Sequence, residues 1–442
     1  MMKGETTRWG TSPGRMGREA CAVGRKKREW PLFFLCLSAA LYGLALIFSA
    51  TRYEETLHGL VGKQAVALGG GVVLCLLLSV LDVRKLLEKL WWLLPVVNVG
   101  LLLLLVPLGN DDGTGNKSWI SLPGGGFNLQ PAEVVKISFL LLLALQLRKL
   151  GEKGLNRPKA VFLLLLHVLA LCALLYGVSG DIGMVAVYLA VYLVMLWSAG
   201  VHPLWLLGEV AAGVGAVVLL WPRLPEYVRM RFLVVFDHGL DPLGKGFQQE
   251  RSLLAIGSGQ VTGQGYLQGT QTQSPSPSAL PARHTDFIFS VAGEELGLVG
   301  CLLILALLGA ILFRCVWLAH RSRDPLFAAV AMGVAGVFGA QTILNIGMCL
   351  YVAPVVGVTL PFFSYGGSSR RGGDCHVHET GEAGRKRQLA GRISPRAGDR
   401  LRTTFQRGGH SNGTVPFFPA AGVPGDPRRP FLFHGPAGVC AV

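Results

Sequence analysis

The sequence predicts an all-α, polytopic membrane protein, on three observations: long apolar runs, a shortage of charge, and lysine and arginine gathered on alternate connections. Of the 442 residues, 51% are hydrophobic and only 15% charged, where a soluble chain carries roughly a quarter charged. Mean hydropathy is +0.47. The deficit lies in runs that match the roughly 20 residues needed to cross a bilayer core. A soluble multi-domain enzyme is excluded, and length no longer counts domains.

Nine spans are predicted, at 31–50, 60–81, 89–108, 131–147, 160–178, 182–200, 202–221, 291–319 and 326–352. The second and ninth are glycine-rich and interrupted by polar residues, and the eighth enters obliquely. The first is too long for a cleavable signal, and eight more follow. Residues 1–30 and loops 82–90, 148–159 and 314–325 together hold 19 lysines and arginines, whereas the opposite short loops hold only Arg52 and Lys117. Positive charge stays on the cytoplasmic side, so the N-terminus is predicted to be cytoplasmic. Loop 109–130 and the segment 222–290 then face outward.

Three regions follow: a basic N-terminal segment (1–30), a membrane domain (31–369) with its large outer loop at 222–290, and a Gly/Arg/Pro-rich tail (370–442). The net charge of +15 points to anionic headgroups rather than to nucleic acid. The nine cysteines include no C-x-x-C pair and lie mostly in apolar runs, as buried free thiols do. At 69 residues the outer loop is too long for a plain connection. Its composition suits a segment that re-enters or folds over the bundle.

Charges inside a membrane are costly and mark function by default. Glu133 and Lys136 open the fourth span three residues apart, where they can pair. Asp181 precedes the sixth span, and Glu294 and Glu295 begin the eighth. A packing network of ions explains these residues as well as a functional role does. His167 and Glu209, single polar residues in apolar helices, read as packing features. The glycine-rich stretch GSGQVTGQGYLQGTQ (257–271) lacks the Gly-Lys-Ser/Thr ending of a nucleotide loop, although its backbone amides could approach a lipid pyrophosphate. Asp286, beside His284 and Thr285, is a candidate general base or cation ligand, and equally a candidate helix cap.

The strings NKSWISLPGGGFNLQPAEVVK (116–136), GSGQVTGQGYLQGTQTQ (257–273), LPARHTDFIFSVAGEELGLVG (280–300) and NIGMCLYVAPVVGVTLPFFSYGGSS (345–369) resemble the SEDS family (shape, elongation, division, sporulation). GTQTQ at 269–273 favours the rod-shape branch, RodA, over the FtsW and sporulation branches. The resemblance implies a peptidoglycan glycosyltransferase that polymerises lipid II on the outer face of the bacterial cytoplasmic membrane, working with a class B penicillin-binding protein. By the same resemblance Asp286 is the catalytic aspartate and Trp119 the functional tryptophan of the first large outer loop. Lys117, Lys136, Arg229, Arg231 and His284 become substrate-binding candidates. No organic cofactor is implied, and a divalent cation (Mg or Mn) could help offset the pyrophosphate. A lipid II flippase and a non-enzymatic scaffold that recruits the penicillin-binding protein are the rival readings.

The chain departs from the family at several positions. Gly180-Asp181-Ile182-Gly183-Met184 stands for a usual PDLGT, Arg251 for a usual Gln and Gln260 for a common Gly. After SYGGSS (364–369) the family continues into a tenth helix, whereas this sequence turns abruptly basic and glycine-rich. A frameshift and a genuine disordered tail both account for residues 370–442. Translating the gene in its other frames past codon 369 separates them.

Overall fold

The computed structural model describes residues 29–110, 117–121, 128–237, 244–276 and 279–366. The basic N-terminal cluster and the tail at 370–442 lie outside the described residues.

Thirteen α-helices and three short strands make up the described chain. In order they are α1 (Trp30–Thr51), α2 (His58–Val80), α3 (Val83–Leu90), α4 (Leu93–Leu103), α5 (Leu105–Leu108), β1 (Gly109–Asn110), β2 (Trp119–Ser121), β3 (Asn128–Leu129), α6 (Pro131–Gly151), α7 (Pro158–Ser179), α8 (Ile182–Ala199), α9 (Pro203–Leu220), α10 (Glu226–Phe236), α11 (Lys245–Gly259), α12 (Ile288–Arg321) and α13 (Pro325–Cys349). Proline at the first or second position starts α1, α6, α7, α9 and α13, where its missing N–H has no helical partner to lose. Asp181 and Asp324 cap α8 and α13 by accepting from Met184 N and Leu326 N. Gly180, at φ 70°, closes α7 in the left-handed conformation that glycine adopts freely.

Among the described residues seven helices are long and apolar enough to cross a membrane, or eight counting one bent pair, where the sequence predicted nine. The bent pair joins Arg84–Leu90, within the predicted basic loop 82–90, to Leu93–Leu108, the bulk of the predicted third span, at an angle of 73°. Its first arm carries Arg84, Lys85, Glu88 and Lys89 among its leucines, and an amphipathic segment of that kind belongs at an interface rather than across a bilayer. It is pinned there by Arg84–Asp324 (3.0 Å) and Arg148–Glu88 (2.7 Å). The predicted fourth span, α6, is continuous but charged at both ends, with Glu133 and Lys136 near its start and Arg148 and Lys149 in its last turn. It is nonetheless among the most deeply packed helices, whereas α2 and α9 bury only Leu60 and Leu206. The chain is a multi-pass membrane protein.

Two apolar cores share α13. One gathers Phe139, Leu143, Leu164, Val187 and Tyr188 from α6–α8, and the other gathers Leu46, Ile304, Phe287 and Phe363 around α1 and α12. The long loop carries two helices of its own, α10 and α11. Loop 109–130 holds a feature the sequence did not predict, a three-stranded antiparallel sheet with Trp119 opposite Asn110 and Ile120 opposite Leu129. Strands of two or three residues are too short to leave a periodic pattern.

Candidate active site

Asp286 ends a tight turn that leads into α12. Thr285 N and Phe287 N both return to Ala282 O (3.1 and 3.3 Å), and Ala282 has φ 46°. The three successive carbonyls of 284–286 each accept a hydrogen bond from a distant part of the chain. Tyr365 N donates to His284 O (2.9 Å), Ser364 Oγ to Thr285 O (2.6 Å) and Asn345 Nδ2 to Asp286 O (2.9 Å). The segment after α13 also passes the carboxylate: a Cβ placed on Gly357 would stand 3.9 Å from Asp286 Oδ2. Asp286 itself is half-buried. It does not occupy the capping position, because Phe287 precedes α12 and makes no side-chain cap.

Next to Asp286 along α13 lies a second polar group. Gln341, one turn before Asn345, donates from Nε2 to Glu133 Oε1 (3.4 Å), and Glu133 Oε2 pairs with Lys136 Nζ at 2.8 Å. The lysine side chain is only 5% exposed and its partner's 41%, so the carboxylate meets solvent and the ammonium lies beneath it. Asp181 accepts from Met184 N (3.0 Å) and Gln130 Nε2 (3.3 Å). Burial pushes the Asp181 carboxyl above the ordinary carboxylate range, while the Met184 amide and the nearby Arg231 pull it back. Arg231 comes from α10, which brings the long loop over the same end of the bundle.

Glu294 and Glu295 are placed otherwise than an ionic network requires. Both are fully buried, and among the described residues neither has a cation within salt-bridge distance. Glu294 accepts from Thr270 Oγ1 (3.0 Å), Gln271 N (2.6 Å), Thr272 N (2.8 Å) and Thr272 Oγ1 (2.6 Å). Glu295 accepts from Ser49 Oγ, Gln273 Nε2 and Leu267 N. Hydroxyls and amides, not ammonium groups, replace the lost water. Arg283 feels the charge of Glu294, but its N–H groups go to the carbonyls of Leu280, Gln271, Thr272 and Ser274, and its guanidinium lies 3.8 Å from the Tyr53 ring centroid.

The glycine-rich stretch is no phosphate cradle either. Gln264 N and Gly265 N donate to Glu294 O and Glu295 O (2.9 and 3.0 Å), and Leu298 N and Val299 N return to Gln260 O and Val261 O (2.9 and 3.2 Å). The stretch therefore satisfies the backbone groups that α12 frees where it breaks at Gly297 (φ 66°). A Cβ on Gly259 would lie 1.9 Å from Gly293 O. The glycines serve two backbones in contact.

The family model for cell cycle proteins of the FtsW/RodA/SpoVE type matches residues 30–371. This chain belongs to that family. Curated relatives include the probable peptidoglycan glycosyltransferase FtsW of Geobacter metallireducens, 33% identical over 77% of this chain and 91% of the relative. The peptidoglycan glycosyltransferase MrdB of Escherichia coli K12 is 32% identical over 78% and 92%. Among solved structures, a peptidoglycan synthase complex described as coordinating polymerization and crosslinking matches with TM-score 0.64 and 31% identity, over 78% of this chain and 93% of the other. The rod shape determining protein RodA of Thermus thermophilus matches with TM-score 0.56 and 29% identity, over 78% and 92%.

Within this FtsW/RodA/SpoVE chain the predicted residues fall into groups. Glu133, Lys136, Asp181 and Arg231 come together, and His284 and Asp286 share the clamped turn. Glu294 and Glu295 sit in a separate cradle. Lys117 is exposed, with its N–H on Ser179 O (3.2 Å), and Trp119 is half-buried in β2. Arg229 is half-buried on α10, its Nε without a hydrogen-bond partner among the described residues. His284 is buried, and burial together with the neighbouring Arg283 pushes its imidazole down to about 4. Asn345 and Ser364 were missed. The trace of Asn345 was a Gln341/Asn345 pair four apart in an otherwise apolar span.

Proposed function

We propose that this chain is a peptidoglycan glycosyltransferase that polymerises lipid II into glycan strands. The site lies on the outer face of the bacterial cytoplasmic membrane, the N-terminus is cytoplasmic, and the strands serve elongation and rod shape. A class B penicillin-binding protein is the partner that crosslinks the peptides. Kinship supports the reaction class. The observation that carries the residue assignment is the half-buried Asp286 carboxylate, held through its own backbone by Asn345 of α13, whose Gln341 one turn earlier reaches the Glu133–Lys136 pair of α6. The orientation rests on the lysine and arginine asymmetry, and the rod-shape role on GTQTQ at 269–273.

In the reaction the acceptor sugar's 4-hydroxyl attacks the donor's anomeric carbon. The carbon–oxygen bond to pyrophosphate breaks, undecaprenyl pyrophosphate leaves with the electron pair, and Asp286 takes the hydroxyl proton. Lys117, Lys136, Arg229 and Arg231 offset charge on the leaving group, Trp119 offers an aromatic face to the substrate, and His284 acts as an uncharged hydrogen-bonding group. Among the described residues no three His, Cys, Asp or Glu side chains converge as a metal site.

The test is lipid II polymerisation by the purified full-length chain with its transpeptidase. Asp286→Asn should lower the rate by about 10²–10⁴, the usual loss on removing a general base. Wild-type rates from Asp286→Asn would sink the assignment. Lipid II translocation without strands from the wild type would sink the polymerase reading in favour of a flippase.

A further inference from the structure

We propose that Asn345 and Ser364 are positioning residues for Asp286, which lock the peptide planes of 284–286 so that the carboxylate is held at one place and angle. The inference rests on the polymerase reading for its catalytic consequence, and on geometry alone for the clamp.

Asn345 is fully buried. Its Nδ2 stands 2.9 Å from Asp286 O and 2.8 Å from Val358 O. Both neighbours are carbonyl oxygens, so only an NH₂ group satisfies them, and one amide ties the aspartate to the segment running past its carboxylate. Ser364 Oγ does the same work one residue earlier, accepting from Leu360 N (2.9 Å) while donating to Thr285 O (2.6 Å). The Tyr365 amide completes the set on His284 O.

The clamp closes on strained backbone at both ends. Ala282 has φ 46° and Phe362 φ 69°, conformations that cost non-glycine residues about 1–3 kcal/mol and persist only when the surroundings over-determine them. Three carbonyls held from 59 to 81 residues away, by α13 and by the chain that follows it, supply that over-determination. A general base must lie within hydrogen-bond reach of its proton, and a misplacement of about 1 Å costs on the order of a hundredfold. A turn with a free carbonyl can rotate its peptide plane, and the Asp286 side chain turns with it.

The experiment uses the full chain in lipid nanodiscs, comparing wild type with Ser364→Ala, Ser364→Thr and Asn345→Asp. It reads hydrogen exchange at the Thr285 and Phe287 amides, the two that close the turn on Ala282, together with lipid II turnover. Ser364→Ala should raise exchange at both amides about tenfold while α6–α8 stay protected. It should lower kcat about tenfold and leave KM within about twofold, and Ser364→Thr, which keeps the hydroxyl, should restore both. Asn345→Asp, which sets a carboxylate against two carbonyls, should do more. Unchanged exchange in both Ser364→Ala and Asn345→Asp overturns the inference, as does raised exchange with undiminished kcat. A wild type that turns over no lipid II, with exchange raised in the variants, overturns the polymerase reading and leaves the clamp standing.

Discussion

Two pairs of charged side chains near the same end of the bundle have opposite surroundings. Glu133 and Lys136 neutralise each other at 2.8 Å, with the glutamate 41% exposed and, among the described residues, accepting one further side-chain hydrogen bond, from Gln341 at a long 3.4 Å. Glu294 is fully buried and takes four donors between 2.6 and 3.0 Å, none of them charged. Saturation is the difference. The first carboxylate has lone pairs left for a substrate, whereas the second has been used to build a wall. Charge in a membrane span marks function only after its hydrogen bonds have been counted.

Exchanging the two roles is the strongest way to break this contrast. Glu294→Leu leaves two hydroxyls and two amides buried without an acceptor, at about 1–3 kcal/mol each. We expect a stability loss of about 4 kcal/mol or more, read as a large drop in thermal midpoint. Glu133→Gln keeps an oxygen for Gln341 but takes the counter-charge from the buried Lys136 ammonium, which should cost about 3 kcal/mol, still less than the loss of the cradle, with a loss of lipid II turnover beside it. If Glu294→Leu folds as well as Glu133→Gln, the cradle does not hold the loop, and the contrast fails.

The elements that physics makes local were legible in the sequence. Apolar runs marked the spans because a helix satisfies its own backbone in lipid. The i,i+3 spacing paired Glu133 with Lys136, and Asp181 stood before a helix that it does cap. What stayed hidden depends on contacts across long stretches of chain. Asn345 meets Asp286 from 59 residues away and Ser364 meets Thr285 from 79, and no periodicity records such pairs. GTQTQ was read as a branch signature. In the fold its threonines and glutamines cradle Glu294 and Glu295, so the string also records a packing solution. The glycines of 257–265 suggested phosphate because close backbone approach to an anion and to another backbone require the same residue.

A gentler probe of the clamped turn is pH. His284 is buried, and its folded-state value of about 4 lies below the ordinary 6.5. The unfolded chain therefore takes up a proton first as pH falls. Stability is intact above about pH 6.5 and is lost progressively toward pH 4, by about 2 kcal/mol between pH 7 and 5. Replacing His284 by Gln should flatten the thermal midpoint across that window relative to wild type. An equal slope in both proteins would mean that His284 opens to water.

The smallest effect tests whether the loop's backbone, like its carboxylates, is dictated by α12. Gln260 occupies φ 49°, ψ −132°, a region that only glycine adopts without strain, and the resemblance places glycine there. Its carbonyl is fixed by Leu298 N at 2.9 Å, and its neighbour's by Val299 N. The broken helix thus holds the strained conformation in place whatever side chain is attached. Gln260→Gly should relieve the strain and raise stability by about 1 kcal/mol. Glycine's greater freedom in the unfolded chain trims the gain, and activity should stay unchanged. Destabilisation by the same substitution would mean that the Gln260 side chain contributes more than its backbone costs, and that this stretch follows its own sequence rather than the kink at Gly297.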